Sequence, residues 1–221
     1  MNAVIIAAGG SGTRFCKHKS KLLYNLNNKT VIEQTVEVFF KHPQISTIII
    51  TCPADQIEMY NNLLNVFKDK IIITAGGKSR AESVKNGFKA INTEVTNILI
   101  HDGARPNVSQ TLISNIIKEL LTNEVVIPGI PVTDTIKVVN DSKIQETLPR
   151  DQLRAVQTPQ GFSKQVLNRI YNTLTDIGSY TDEASMTETI GVNGVITTGC
   201  HKNIKITHKD DIAFLNFLNT R

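Results

Sequence analysis

Val4-Ile5-Ile6-Ala7-Ala8-Gly9-Gly10-Ser11-Gly12-Thr13-Arg14 sets an apolar run directly against a glycine-rich loop, and Lys21 follows seven residues after Arg14. Such a run reads as a strand buried on both faces. The glycines let backbone N–H groups approach an anion closely. Arg14 offers a planar fork for phosphate oxygens, and Lys21 a mobile point charge. The loop is not a Walker loop, since no Gly-Lys-Ser/Thr follows, and the dinucleotide fingerprint fails for want of a third glycine after Gly10 and Gly12. A plain tight turn after a first strand is the alternative. The crowding of Arg14, Lys17, Lys19 and Lys21 favours a phosphate grip.

Outward from this stretch, strand and helix patterns alternate. Thr30-Val31-Ile32-Glu33 is a capping box opening a helix to Lys41, Ile45 to Thr51 reads as a strand, and Pro53 opens a helical pattern through Phe67. Ile71 to Thr74 is a strand ended by Gly76-Gly77, Ser79-x-x-Glu82 caps the next helix, and Asn97 to His101 is a fourth strand. Ser109 starts a helix through Leu121, and Val125 to Ile127 is a fifth strand. Ser163 and Thr181 cap two further helices, a strand runs near Val195 to Thr198, and a last helix starts at Asp210. Alternation of this kind predicts an α/β fold: a Rossmann-like, mainly parallel sheet with helices on both faces. The 221 residues, 40% of them hydrophobic, suffice for one domain spanning 1–221.

The pattern changes from about 131 to 154. Asp134 to Val139, a turn at Asn140-Asp141-Ser142 and a polar return predict a protruding β-hairpin. An isolated hairpin is marginal in water, so a second subunit is its expected partner.

The net charge of +4 comes without a run of like charges, so small acidic ligands are simpler partners than nucleic acid. Three widely spaced cysteines form neither a disulfide framework nor a zinc pattern, which suits a cytoplasmic protein. No stretch approaches the ~18 apolar residues of a membrane span.

In an open parallel sheet, ligands bind beyond the carboxyl ends of the strands. Four loops there carry chemistry: Gly9 to Lys21, Gly76 to Arg80, His101 to Arg105, and Asn203 to Lys205. Asp102 is the metal candidate, since one strand-end carboxylate facing a phosphate loop can hold Mg²⁺ or another divalent cation; a turn aspartate pairing with Arg105 is the alternative. His101 reads as a packed strand-end residue, and Arg80 as either a solvated helix-start charge or an anion contact. Lys205, Thr135 and Arg150 each have a plain surface reading, and Thr181-Asp182-Glu183 reads first as a helix cap. With no nucleophile elbow and no zinc pattern, cations around one carboxylate suit phosphoryl or nucleotidyl transfer.

Seven motifs then fall in order: the loop with Lys21, Gly76-Gly77-x-x-Arg80-x-x-Ser83-Val84, His101-Asp102-x-Ala104-Arg105-Pro106, Pro131-Val132-x-Asp134-Thr135-Ile136-Lys137 with Arg150-Asp151-x-Leu153, Gln157-Thr158-Pro159-Gln160-x-Phe162, Thr181 to Ser185, and Asn203 to Thr207. Together, nearly end to end, they resemble the 2-C-methyl-D-erythritol 4-phosphate cytidylyltransferase family. The resemblance implies Mg²⁺-dependent transfer of CMP from CTP to methylerythritol phosphate. By motif position, Arg14, Lys21 and Lys205 are catalytic residues at the phosphates. Ala8, Gly9, Gly10, Gly12, Gly77, Ser83 and Asp102 bind the nucleotide, and Asp102 also the metal. Arg105 supports the substrate side, and Thr135 and Arg150 on the hairpin complete the other subunit's site in a homodimer. Related enzymes that use ribitol 5-phosphate are the alternative, and a nucleotide-binding regulatory domain without turnover is a second.

Overall fold

Strand and helix follow each other for the first half of the chain. The computed structural model describes residues 1–10, 20–26 and 28–219. β1 (Asn2–Ala7), a short antiparallel pair β2 (Asn25–Leu26) and β3 (Lys29–Thr30), and α1 (Val31–Phe40) lead into β4 (Ile45–Cys52), α2 (Ile57–Leu63), β5 (Ile71–Ala75), α3 (Arg80–Lys89), β6 (Asn97–Asp102), α4 (Gln110–Glu119) and β7 (Val125–Pro131). β8 (Ile136–Asn140) and β9 (Lys143–Leu148) form the hairpin. β10 (Arg154–Val156), β11 (Gln160–Ser163), α5 (Lys164–Thr173), α6 (Glu183–Thr189), β12 (Val195–Thr198) and α7 (Asp210–Asn219) complete the order.

The sheet is mainly parallel. β1 lies between β4 and β6, β5 extends β4, and β12 runs parallel to β7; β10 runs antiparallel to β7, and β11 antiparallel to β6 and β7. Side chains alternate across it as the pleat requires. Val4 and Ile6 of β1, Ile48 and Ile50 of β4 and Leu99 of β6 join one core with Val36, Phe39, Tyr60, Leu112, Ile116 and Leu215 from α1, α2, α4 and α7. Ala3, Ile5, Ile49, Ile98 and Ile100 face the other way, onto Ala81, Val84, Val166, Ile170 and Met186 from α3, α5 and α6. Helices therefore cover both faces. α3 lies close against the sheet: a Cβ on Gly87 would lie 2.8 Å from Ile5 Cγ2 and 2.9 Å from Thr51 Cγ2, so glycine sets how near the helix sits.

The predicted capping boxes of α1 (Thr30 with Glu33) and α3 (Ser79 with Glu82) are both formed, and Ser109 and Ser163 cap α4 and α5. Several features differ from expectation, the β2–β3 pair and β10 among them. The pattern from Pro53 to Phe67 is broken into a 3-10 turn (Ala54–Gln56), α2 and a second 3-10 turn (Asn65–Phe67). The cap of α6 is Asp182, whose Oδ1 accepts the Ser185 N–H at 3.0 Å, and not Thr181. β7 continues past Ile127 to Pro131. β11, absent from the sequence reading, wedges between β6 and β7, with Gly161 facing both Leu99 and Val126.

The hairpin lies apart from the main sheet, its strands pairing with each other and its turn taking positive φ at Asp141 (47°) and Ser142 (62°). Val138, Val139 and Ile144 are exposed along it. Among the described residues, no helix is long and apolar enough to cross a membrane.

Candidate active site

The site is built where strands end. Ala7, the last residue of β1, stands beside Thr51 of β4 and Asp102 of β6. The Ala8 N–H donates to Thr51 O at 2.8 Å, the Gly76 N–H to Cys52 O at 2.7 Å, and the Gly103 N–H to Ala7 O at 3.1 Å. These bonds line up the Ala8–Gly10 turn, the Gly76–Gly77 turn and Asp102 along one rim. Gly9 and Gly10 are exposed there. Gly12 and Arg14 lie outside the described residues.

Ser83 reaches back from α3 to this rim. Its hydroxyl donates to Ser79 O at 2.8 Å and accepts the Gly77 N–H at 3.0 Å. A Cβ on Gly76 would meet Ser83 Oγ at 2.9 Å, and one on Gly9 at 3.7 Å. Gly9, Gly77 and Ser83 are therefore close together.

Asp102 is the electrostatic centre. Its Oδ1 takes Arg80 Nε at 3.2 Å, while Oδ2 takes Lys205 Nζ at 2.8 Å and lies 3.6 Å from Arg105 Nε. Burial alone would raise its pKa, but Arg80, Lys205 and Arg105 together hold the carboxyl well below the usual range, so it stays ionised. Behind Arg80 stands Glu183, fully buried, with Oε2 2.7 Å from Arg80 Nη1. Lys21 donates from Nζ to Ile206 O at 2.6 Å, next to Lys205 in sequence. A cavity of about 130 Å³ opens here, lined among others by Arg80, Asp102, Arg105, Thr158, Asp182 and Lys205.

A buried network holds the Asp102 loop. Thr158 Oγ1 accepts the Asp102 N–H at 3.1 Å and lies 3.1 Å from His101 Nδ1, while His101 Nε2 lies 3.1 Å from Arg105 O. The consistent assignment has the threonine hydroxyl donating to Nδ1 and Nε2–H donating to the carbonyl, which fixes a neutral ring. Arg105 Nη1 donates to Asn203 O at 2.8 Å, and Asn203 Nδ2 to Thr158 O at 2.7 Å. Arg105 is thus a buried brace at the cavity wall.

The neutral His101 leads to a pH prediction. Burial pushes its pKa down to about 4 from 6.5. Between those values the unfolded chain carries a proton that the fold excludes, so the contribution of His101 to stability falls as pH drops from 6.5 to about 4, by about 3 kcal/mol, and that contribution levels off below. Urea unfolding of metal-free protein at pH 7 and pH 4 measures this. His101→Gln should remove about 3 kcal/mol of the difference; an unchanged difference would show that the ring is not buried neutral.

Thr135 and Arg150 are not brought to this cluster. Both are exposed near the root of the hairpin, where Arg150 Nη1 donates to Thr133 O at 2.7 Å. Among the described residues no group of three or more acidic, histidine or cysteine side chains could cage a metal ion. Asp102 fits instead the single-carboxylate pattern, in which Mg²⁺ takes its remaining ligands from water and substrate phosphates; Lys205, the most exposed of its three cations, is the one free to yield. Sequence reasoning left Arg80 open and took Glu183 as a helix-cap acid. The available signal concerned Arg80 alone: Ser79 with Glu82 completes the cap of α3 without it.

The arrangement offers backbone and cationic groups around an ionised carboxylate, suited to holding phosphates and neutralising charge on them. The family profile described as 2-C-methyl-D-erythritol 4-phosphate cytidylyltransferase matches residues 1–221. A protein of that name from Clostridioides difficile is 36% identical over 215 residues, covering 96% of this chain and 91% of its own. The solved 4-diphosphocytidyl-2C-methyl-D-erythritol synthase of Anaerococcus prevotii superposes with TM-score 0.88 at 28% identity, covering 100% and 99% of the two chains. The Francisella tularensis 2-C-methyl-D-erythritol 4-phosphate cytidylyltransferase does so with TM-score 0.85 at 31% identity, covering 98% of each. With the whole chain matched in sequence and in fold, this protein belongs to the 2-C-methyl-D-erythritol 4-phosphate cytidylyltransferase family.

Proposed function

We propose that this chain transfers CMP from CTP to 2-C-methyl-D-erythritol 4-phosphate, giving CDP-methylerythritol and pyrophosphate. The observation that carries the reading is the meeting of two glycine turns with an Asp102 bracketed by Arg80, Arg105 and Lys205, in a chain of this family. A phosphate oxygen of the acceptor attacks the α-phosphorus of CTP in line, forming one P–O bond as the bond to the β-phosphate oxygen breaks and pyrophosphate leaves.

Each residue has a stated part. Ala8, Gly9, Gly10 and Gly77 present backbone to the nucleotide, with Ser83 fixing the Gly77 N–H. Lys21 and Lys205 neutralise charge developing on the phosphate oxygens, together with Arg14 and Gly12. Arg105 holds the Asp102 loop against Asn203. Asp102 is the residue that would hold Mg²⁺ or another divalent cation; that ion, when bound, supplies charge neutralisation at the triphosphate.

The hairpin is the arm of a homodimer, and Thr135 and Arg150 act in the partner's site on the acceptor phosphate. Its exposed Val138, Val139 and Ile144, with no partner sheet among the described residues, support this. Cys52 and Cys200 are free thiols, in keeping with a cytoplasmic enzyme.

Pyrophosphate release from CTP and Mg²⁺, measured in parallel with methylerythritol phosphate and ribitol 5-phosphate, tests the assignment. Release with the first acceptor alone is expected, and release with ribitol phosphate alone would overturn the acceptor. In the same assay Arg150→Ala should raise the sugar-phosphate KM at least about tenfold and leave the CTP KM within about twofold. Equal weakening of both substrates would remove the arm from the acceptor site.

A further inference from the structure

Glu183 is a fully buried carboxylate on the first turn of α6, yet the helix does not need it, because Asp182 already supplies the cap. Its Oε2 accepts from Arg80 Nη1 at 2.7 Å, and its Oε1 makes no hydrogen bond among the described residues. A buried carboxylate with half its acceptor capacity unanswered is costly, and burial correspondingly pushes its pKa up against the pull of Arg80. Arg80 likewise owes nothing to the end of its own helix, which Ser79 and Glu82 close. What the pair does hold is direction. With Nη1 anchored on Glu183, the guanidinium can turn only its Nε edge to Asp102 Oδ1, at 3.2 Å, while Lys205 and Arg105 sit on Oδ2. The two oxygens of Asp102 are thereby divided between partners and the plane of the carboxylate is set.

We propose that Glu183 is a positioning residue of the transfer site, acting through Arg80: it anchors the rear of the guanidinium so that Arg80 orients Asp102 instead of swinging into the cavity onto substrate phosphate. This rests on the reading of the Asp102 cluster as the site of CMP transfer. Without the anchor, Arg80 gains a ground-state partner in the bound nucleotide while Asp102 loses its orientation. The signature is a fall in kcat with no rise in the CTP KM.

Four proteins test it by steady-state pyrophosphate release, each checked for folding by circular dichroism: wild type, Glu183→Gln, Arg80→Met and the double variant. Glu183→Gln should lower kcat about tenfold, the scale typical of lost outer-shell partners, and leave the CTP KM unchanged or lower. Because Glu183 acts through Arg80, adding Glu183→Gln to Arg80→Met should change kcat by less than about twofold. Should Glu183→Gln alone fail to fold, the comparison of Arg80→Met with the double variant, in which no charge is left unpaired at this spot, still decides. A folded Glu183→Gln with wild-type kcat overturns the proposal, as does an undiminished tenfold effect in the Arg80→Met background. A wild-type protein that releases no pyrophosphate would instead overturn the functional reading, and this inference with it.

Discussion

Asp102→Asn should lower turnover by about a thousandfold and cost about 3 kcal/mol of stability. The native carboxylate accepts from Arg80 on one oxygen and Lys205 on the other, with Arg105 at 3.6 Å. An asparagine keeps the shape but accepts on one side only, and must turn its NH2 toward a cation on the other. Three cations then share one neutral amide, and any divalent ion loses its carboxylate. The sign of the pH dependence follows. The folded pKa lies below the ordinary 3.8, so the stabilisation by Asp102 is fully present above about pH 4 and is lost as pH falls through the lowered folded value. Urea unfolding at pH 7 and single-turnover assays of the variant check both numbers. Turnover within about tenfold of wild type would reduce Asp102 to a structural counter-ion.

Gly77→Ala should raise the CTP KM about tenfold and destabilise the fold by about 2 kcal/mol. A Cβ there would stand 2.3 Å from Glu82 Cβ and 3.0 Å from Glu82 C. Neither atom can withdraw without moving α3, because the Glu82 carboxylate is engaged by the N–H groups of Lys78 and Ser79. The turn must therefore shift, taking with it the Gly77 N–H that Ser83 holds in place. Calorimetric CTP titration and thermal unfolding of the variant report the two effects. Unchanged CTP affinity in a destabilised variant would place the nucleotide elsewhere.

Much of this architecture is written in local pattern. Unbroken apolar runs such as Ile48-Ile49-Ile50 mark strands covered on both faces, and caps such as Thr30 with Glu33 need only neighbours along the chain. β11 was illegible for the opposite reason: Gln160-Gly161-Phe162-Ser163 has a single large apolar residue, and its extended form comes from the slot between β6 and β7. The α2 region carried a good helical face but broke into three pieces, a tertiary outcome that periodicity does not encode. At α6 two capping residues stand side by side, and the choice of Asp182 over Thr181 accompanies a bond from Gln160 Nε2 to its other oxygen. The site divides the same way. Asp102 was visible because it ends a strand. Glu183 was not, because its partner Arg80 lies 103 residues earlier.

The late threads of the Asp102 network also set an order of assembly during synthesis. β1, β4, β5 and β6 all lie within the first 102 residues and can pair as soon as they leave the ribosome. The threonine that receives the Asp102 N–H, the asparagine that braces Arg105 and the lysine on Oδ2 arrive only with residues 158, 203 and 205. A nascent chain therefore carries the glycine rim well before it carries a fully braced Asp102, and gains its electrostatic centre only once residue 205 has been made.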